Sequence, residues 1–428
     1  MKRILTLVIC VVMVLSVVGC SAPNGKNTAQ PDRQTQSAQK AAELSVTAVE
    51  KSGQNILPED FDYTAVNGYT AAVNKFAVEL AKKMGEETFI ASPYSVYLSL
   101  LAILAGADGE AKEQLEKVLL PEGLTGEAAI EYTGSIIDEL EAAKQYTLDT
   151  NTLVAMDNEF TVDPDFAQKI VQYLKGETAT IDFGDKNAYL TLNKWAEEKT
   201  KGLIKNLNSE PLPEETAMAL LNSIYFLGQW EDEFDEKDTR EDVFHGKNKD
   251  SKAQFMTQKY EEVNYSENDT YQAISLPYKG GAAMNIYLPR EGKSTNDVLA
   301  ELEKQPDGMG YLDGLGIGTL TLPKFEAENT LELNDAVKAL GLTAMFEGGL
   351  GRMMSVEPEK GLLTNIKQKA KITVDEKGTE AAAVTESDFA TTSLPPEPVE
   401  FEMNVNRPFV YTVVSRGIVL FLGISGEM

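Results

Sequence analysis

The stretch between Lys371 and Arg407, near the carboxyl end, constrains this chain more than any other. Ile372-Thr373-Val374 reads as a strand, and Asp375-Glu376-Lys377-Gly378 as the turn behind it. Then runs Thr379-Glu380-Ala381-Ala382-Ala383-Val384-Thr385-Glu386-Ser387-Asp388-Phe389-Ala390-Thr391-Thr392-Ser393-Leu394, closed by Pro395, Pro396 and Pro398. Ordinary connections run about 4–6 residues, so this one is too long to be a plain link. Thr379, Ala381, Ala383, Thr385, Ser387, Phe389 and Thr391, all uncharged, share one parity; Glu380, Glu386 and Asp388 share the other. Strand side chains alternate between faces, so the segment can enter a sheet with its acids toward water and its mostly small residues inward. Prolines cannot donate to a ladder and would end the insertable part. A solvated loop or an Ala-rich helix has the same composition, so alternation alone leaves those readings open.

The amino terminus reads as a targeting segment, separate from the fold. Lys2 and Arg3 precede an apolar run from Ile4 to Val18. Val17-Val18-Gly19-Cys20 resembles the bacterial lipobox, where a small residue before Cys permits cleavage and the thiol takes a lipid. An ordinary signal peptide, or a short membrane anchor with an incidental Cys20, is the alternative. The small residue, the cysteine and the polar stretch behind them favour a signal peptide over 1–19 and lipidation at Cys20. Ser21 to about Asp60 lacks aromatic residues and is rich in Gln, Ser, Ala, Asn and Lys, so residues 20–60 are expected to be a tether. The globular domain is expected over 61–428.

Thirty-nine Lys and Arg stand against 67 Asp and Glu, a net charge of −28. Such a surface repels nucleic acid and anionic membranes, so the only membrane contact expected is the lipid. Of the two cysteines, Cys10 falls in the leader and Cys20 carries the lipid, which leaves an exported domain without disulfides, catalytic thiol or thiolate zinc site. His245 is the only histidine, which argues against Ser-His-Asp hydrolases and zinc peptidases. In Phe244-His245-Gly246 it reads as a surface-turn residue. No metal or other cofactor is expected.

Tyr69, Val73, Phe76, Leu80 and Met84 recur at helical spacing before a Gly85 stop. Ser92 caps a second helix with Pro93 in its first turn, and Tyr94 to Leu104 is apolar on nearly all faces, as a buried helix is. Leu190, Trp195 and a Gly202 stop mark another helix. Met218–Phe226, Ala282–Leu288, Thr319–Leu322 and Phe409–Leu422 read as strands, several too apolar for edges. Helices early and strands late give an α+β class.

Six motifs in order then resemble the serpin family, over roughly Tyr69 to Met428. Gly378-Thr379-Glu380-Ala381-Ala382-Ala383 resembles the family's hinge, and Asn406-Arg407-Pro408-Phe409-Val410 its carboxy-terminal signature. Leu221-Asn222-Ser223-Ile224-Tyr225-Phe226-Leu227-Gly228-Gln229-Trp230 resembles its central-sheet strand and breach tryptophan. Ser92-Pro93-Tyr94-Ser95 resembles the start of its buried helix, and Leu276-Pro277-Tyr278 and Leu322-Pro323-Lys324-Phe325 match further segments.

This resemblance implies a serpin fold of three β-sheets and about nine helices with an exposed reactive-centre loop, here about 376–398. It implies no enzyme but a suicide inhibitor of serine proteases: the protease cuts the loop, becomes acylated, and is carried off as the loop enters the large sheet. Loop insertion is this family's own established example of strand addition. The implied hinge is Glu376, Lys377, Gly378, Thr379, Glu380, Ala381, Ala382 and Ala383; the shutter and breach are Ser92, Ser95, Asn222, Gln368 and Trp230. Hinge length and the Pro395-Pro396 pair both put the scissile bond at Thr392–Ser393. No Lys or Arg occurs from Gly378 to Asn406, so trypsin-like enzymes find no anchor. Thr392 suits an elastase-like or subtilisin-like pocket, with Phe389 the fallback for a chymotrypsin-like one. Lys377 replaces a common acid and Gln368 a common His, so any pH response of the shutter should be absent. A monomer is expected, exported as a cell-envelope lipoprotein or released outside the cell. The alternative is a non-inhibitory serpin that binds or is simply cut.

Overall fold

Alternating and fully apolar runs build sixteen strands and eight α-helices among the described residues. The computed structural model describes residues 42–428 apart from 52, 54, 56, 58–65, 67, 86–87, 143–144, 203, 215, 311, 356–360 and 380–396. In chain order the strands begin with β1 (Ser45–Val46), β2 (Phe89–Ala91), β3 (Tyr146–Asp157), β4 (Gly176–Ile181) and β5 (Met218–Gln229). Next come β6 (Arg240–His245), β7 (Asp250–Glu267), β8 (Tyr271–Pro277), β9 (Ala282–Pro289), β10 (Leu315–Pro323) and β11 (Phe325–Glu332). The last are β12 (Asn365–Asp375), β13 (Gly378–Thr379), β14 (Val399–Asn404), β15 (Phe409–Ser415) and β16 (Ile418–Ser425). The helices are α1 (Tyr69–Met84), α2 (Pro93–Gly106), α3 (Gly109–Leu119), α4 (Gly126–Glu141), α5 (Pro164–Leu174), α6 (Ala188–Lys199), α7 (Thr295–Leu302) and α8 (Asn334–Ala339).

One sheet has seven strands in the order β1-β4-β3-β5-β13-β12-β11; the other has nine, β14-β10-β7-β8-β9-β15-β16-β2 with β6 beside β7. The 18-residue β7 pairs with β6 and β10 over most of its length and with β8 at its end, so it joins two halves of the second sheet. The expected third sheet is one of these halves. Helix α2 lies between the sheets, against β3, β5 and β16. Ser92 Oγ caps it by accepting from Ser95 N, and its apolar residues are buried on every side, so it has no solvent face.

Helix α1 ends at Gly85, whose φ of +86° is the left-handed region. Trp195 of α6 is buried, whereas Leu190 is 44% exposed and faces solvent. Phe409–Leu422 is not one strand but a hairpin, turning at Arg416 and Gly417, both at positive φ. Both of its strands are buried on both faces, and Ser415-Arg416-Gly417 is the short polar break that marks the turn. His245 ends β6, exposed, with Nδ1 3.1 Å from Asp250 Oδ1, at the closing pair of a hairpin rather than inside its turn.

The expected tether boundary near Asp60 needs correction. Val46 and Ser45 form β1 against the edge of β4, and Leu44 and Val49 pack onto the core. Lys51 Nζ lies 2.6 Å from Asp138 Oδ1, and Asn55 N donates to Asp138 Oδ2 at 2.8 Å. Few apolar residues suffice here because the β4 edge offers unpaired backbone and Asp138 offers charge. Cys20 and segment 1–19 lie outside the described residues. Burial opposes ionisation of Asp138, but the bonds from Lys51 and Asn55 and the charges of Lys51 and Lys175 outweigh it and hold the carboxyl below the usual aspartate range. Asp138→Asn should therefore lower stability by about 1–3 kcal/mol in urea unfolding and speed tryptic cleavage after Lys51.

Candidate functional site

Strands β5 and β12 are parallel neighbours, yet they pair only over Ala219–Asn222 and Asn365–Gln368. At the other end β13 enters between them, antiparallel to both. In between, Ser223–Leu227 and Lys369–Thr373 have no ladder partner on the sides that face each other, among the described residues. Their outer sides are satisfied by β3 and β11. Strand backbone wants a partner on both sides, so this is a slot for one more strand. The chain already points into it: β12 and β13 form a hairpin turning at Glu376 and Lys377, with Asp375 Oδ1 accepting from Lys377 N at 2.8 Å.

Gly378 is required at the mouth of the slot. Its φ is +145°, and a Cβ there would lie 2.2 Å from the Gly228 carbonyl oxygen. Thr379 is 2% exposed and its hydroxyl is 2.6 Å from that of Tyr278. The Trp230 ring stacks on Tyr278 with centroids 4.3 Å apart, donates from Nε1 to the Asp375 carbonyl at 2.9 Å, and its backbone N–H binds the Lys377 carbonyl. Glu376, only 7% exposed, accepts from Lys324 Nζ at 2.6 Å and from the Thr239 hydroxyl at 2.8 Å. Burial pushes the Glu376 carboxyl up, but Lys324, a backbone N–H and Thr239 prevail and keep it below the usual glutamate range. Lys377 is exposed and joins by backbone alone. Glu380, Ala381, Ala382, Ala383, Thr392 and Ser393 lie outside the described residues.

The closed end rests on α2. Gln368, 1% exposed, accepts from Ser92 N at 2.9 Å through Oε1 and donates through Nε2 to the Ser92 carbonyl at 2.9 Å and Ser95 Oγ at 3.0 Å. Asn222, 3% exposed, donates to the Ser95 carbonyl at 3.0 Å, Ser99 Oγ at 3.0 Å and Thr152 Oγ1 at 3.1 Å. Ser92 Oγ donates to the Leu420 carbonyl at 2.7 Å. Asn222 and Gln368 are therefore linked through the first turn of α2 and not directly.

Ser99, Thr152, Thr239 and the Lys324–Glu376 pair escaped sequence reasoning. Ser99 carried a signal, being a polar residue one turn past Ser95 in an otherwise apolar helix. The partners of Glu376 are 52 and 137 positions away, and no local pattern announces them.

A family model described as serpin (serine protease inhibitor) matches residues 71–425. The chain belongs to the serpin family. Serpin-ZX of Arabidopsis thaliana is 30% identical over 383 residues, covering 82% of this serpin and 96% of the relative. An uncharacterized serpin-like protein of Methanosarcina acetivorans is 28% identical, covering 85% and 86%. The solved structure of Serpin48 from the insect Tenebrio molitor, described as a highly specific serpin, has a TM-score of 0.75 and 26% identity, covering 86% of this chain and all of that one. Membership gives this serpin a protease-inhibitor fold and sets it apart from catalysts.

Two outcomes follow from the mouth of the slot. Because Glu376 titrates below its unfolded value, its stabilisation is complete above the ordinary glutamate range and fades as pH falls through it. Glu376→Gln should thus cost the intact serpin about 1–3 kcal/mol at neutral pH, with the difference vanishing in acid; a loss unchanged with pH would assign the effect to packing. Gly378→Ala should expel Thr379 from the slot, read as altered Trp230 fluorescence in a Trp195→Phe background.

Proposed function

We propose that this serpin inhibits serine proteases as a suicide substrate, cut at or near Thr392–Ser393, with the freed loop filling the slot between β5 and β12. The slot is the observation that carries the reading: two strands stand apart, and the start of the loop already lies between them in the direction a new strand would run. Thr379 buries its side chain there, and it shares parity with the uncharged residues of the loop. While the loop is tied at both ends, its acyl-bearing part cannot travel, so the unfilled sheet persists. Cleavage removes that tether, and the gain of backbone hydrogen bonds and packing drives the strand home.

The same reading assigns the roles. Glu376 to Ala383 act as the hinge, Trp230 with Tyr278 guards the mouth, and Ser92, Ser95, Asn222 and Gln368 close the far end. The target is an elastase-like or subtilisin-like protease, because Thr392 is small and no Lys or Arg occurs from Gly378 to Asn406. The protein works as a monomer tethered through lipid on Cys20 at the cell envelope. Replacing Cys20 with Ala should release it into the medium, whereas retention on cells would remove the anchor.

The decisive experiment mixes the protein with pancreatic elastase. A complex that survives SDS, together with a raised melting temperature after nicking, is the expected result. Clean cleavage without a complex would make the chain a substrate or binding protein, and an unchanged melting temperature would end the insertion reading.

A further inference from the structure

On the outer face of the seven-stranded sheet, Lys367, Lys369 and Lys371 alternate along β12 with the buried Ile366, Gln368, Ala370 and Ile372. Carboxylates of β11 meet them from one flank: Glu332 reaches Lys367 at 2.6 Å, Glu328 reaches Lys369 at 2.9 Å, and Glu326 reaches Lys371 at 2.9 Å. The other flank is the slot. It opens into a cleft of about 440 Å³ walled by Tyr225 on one side and Lys369 and Lys371 on the other, with Lys201 and Lys205 above. In a chain of net charge −28, this sets five lysines beside a strand position that no described residue fills, those of β12 paired with Glu326, Glu328 and Glu332 and Lys201 paired with Asp149 at 2.7 Å.

We propose that the lysine row of β12 is a docking strip for the acids of the loop, drawing the severed strand into the slot and holding it there. The proposal rests on the insertion reading given above and names what steers it. The occupant is residues 380–390 of this chain, which continue from Thr379 at the mouth.

Extending the observed ladder gives the contacts. Val374 stands opposite Thr379 and Asp375 opposite Gly378, while Gly228 stands opposite Thr379 on β5. Continued in antiparallel order, Glu386 falls opposite Lys367 with Lys369 on its diagonal, and Glu380 lies diagonal to Lys371. Opposed residues on one sheet face have Cβ atoms about 5 Å apart and diagonal ones about 7–8 Å, both within reach of Lys and Glu. All of these side chains share the outer face, where Glu380 and Glu386 were expected from their parity. A separate observation supports the same register. On the inner face Thr385 falls between Gln368 and Asn222, and Asn222 Oδ1 is a buried acceptor without a partner among the described residues. The finished face would read acid, base, acid across β11, β12 and the inserted strand. Lys367, Lys369 and Lys371 are then positioning residues.

The test uses the full chain, intact and nicked in its loop by thermolysin, a metalloprotease that forms no acyl-enzyme and so is not retained. Thermal midpoints are compared for the wild type, Glu386→Lys, Lys367→Glu and the double exchange, at low and high salt. Nicking should raise the wild-type midpoint; each single reversal should remove about 1–3 °C of that rise, less at high salt, and the exchange should restore it. The intact Glu386→Lys protein should melt as the wild type does, which separates docking from a general loss of stability. If Lys367→Glu fails to fold because it faces Glu332, Lys367→Gln with Glu386→Gln serves in its place, each single loss then matching the double. Single variants that keep the full rise would overturn the docking strip and leave insertion standing. A wild type that gains nothing on nicking would overturn both.

Discussion

The rest of this structure depends on a hydrogen-bond ladder that is left incomplete. Backbone amides and carbonyls in a sheet interior are normally paired, because leaving them without partners forfeits their solvation. Here β5 and β12 meet over four residue pairs and then part. Beyond Asn222 the two strands diverge, and the hairpin that β12 makes with β13 enters between their far ends. The seven-stranded sheet is thus complete at one end, wedged at the other and, among the described residues, vacant between.

Each end is secured by a different kind of contact. At the wedged end the fastening is aromatic and ionic: Trp230 stacks on Tyr278, Tyr278 meets Thr379, and Glu376 holds Lys324 and Thr239. Every member sits on or beside the hairpin, so movement of the loop disturbs all of them together. At the closed end the fastening is a buried amide network running from Gln368 through the first turn of α2 to Asn222. In such surroundings unmatched polar atoms are costly, which makes this network directional and hard to slide. With Gln at 368, it also carries no group that titrates near neutral pH. The network thus fixes Asn222 and Gln368, the last paired residues before the strands part.

Helix α2 explains how so polar a cluster survives in the core. Its cap, Ser92, and its first-turn Ser95 supply hydroxyls and carbonyls where helix ends leave backbone groups unsatisfied, Ser99 adds one hydroxyl a turn later, and from Leu100 onward the helix is apolar. The same helix end therefore serves as an N-terminus, a packing surface and a bracket between β5, β12 and β16. The lysines of β12 stand on the opposite, outer face, so the two faces of this strand are free to serve different ends.

The sequence by itself determined the α+β class, the buried α2, most strands and the parity of the long loop, because periodicity and capping are local properties written within a turn or two of chain. The run of small residues behind Gly378 is likewise visible without coordinates. Boundaries read less well: the apolar runs on either side outweighed the short Ser415-Arg416-Gly417 turn signal, and a polar composition concealed the packing of Leu44, Val49 and Lys51. Only the tertiary structure decided that β5 and β12 part above Asn222, that Glu376 finds Lys324, and that Asn222 reaches Gln368 through α2. These depend on which distant strands become neighbours, and that is settled by the packing of whole sheets around one helix.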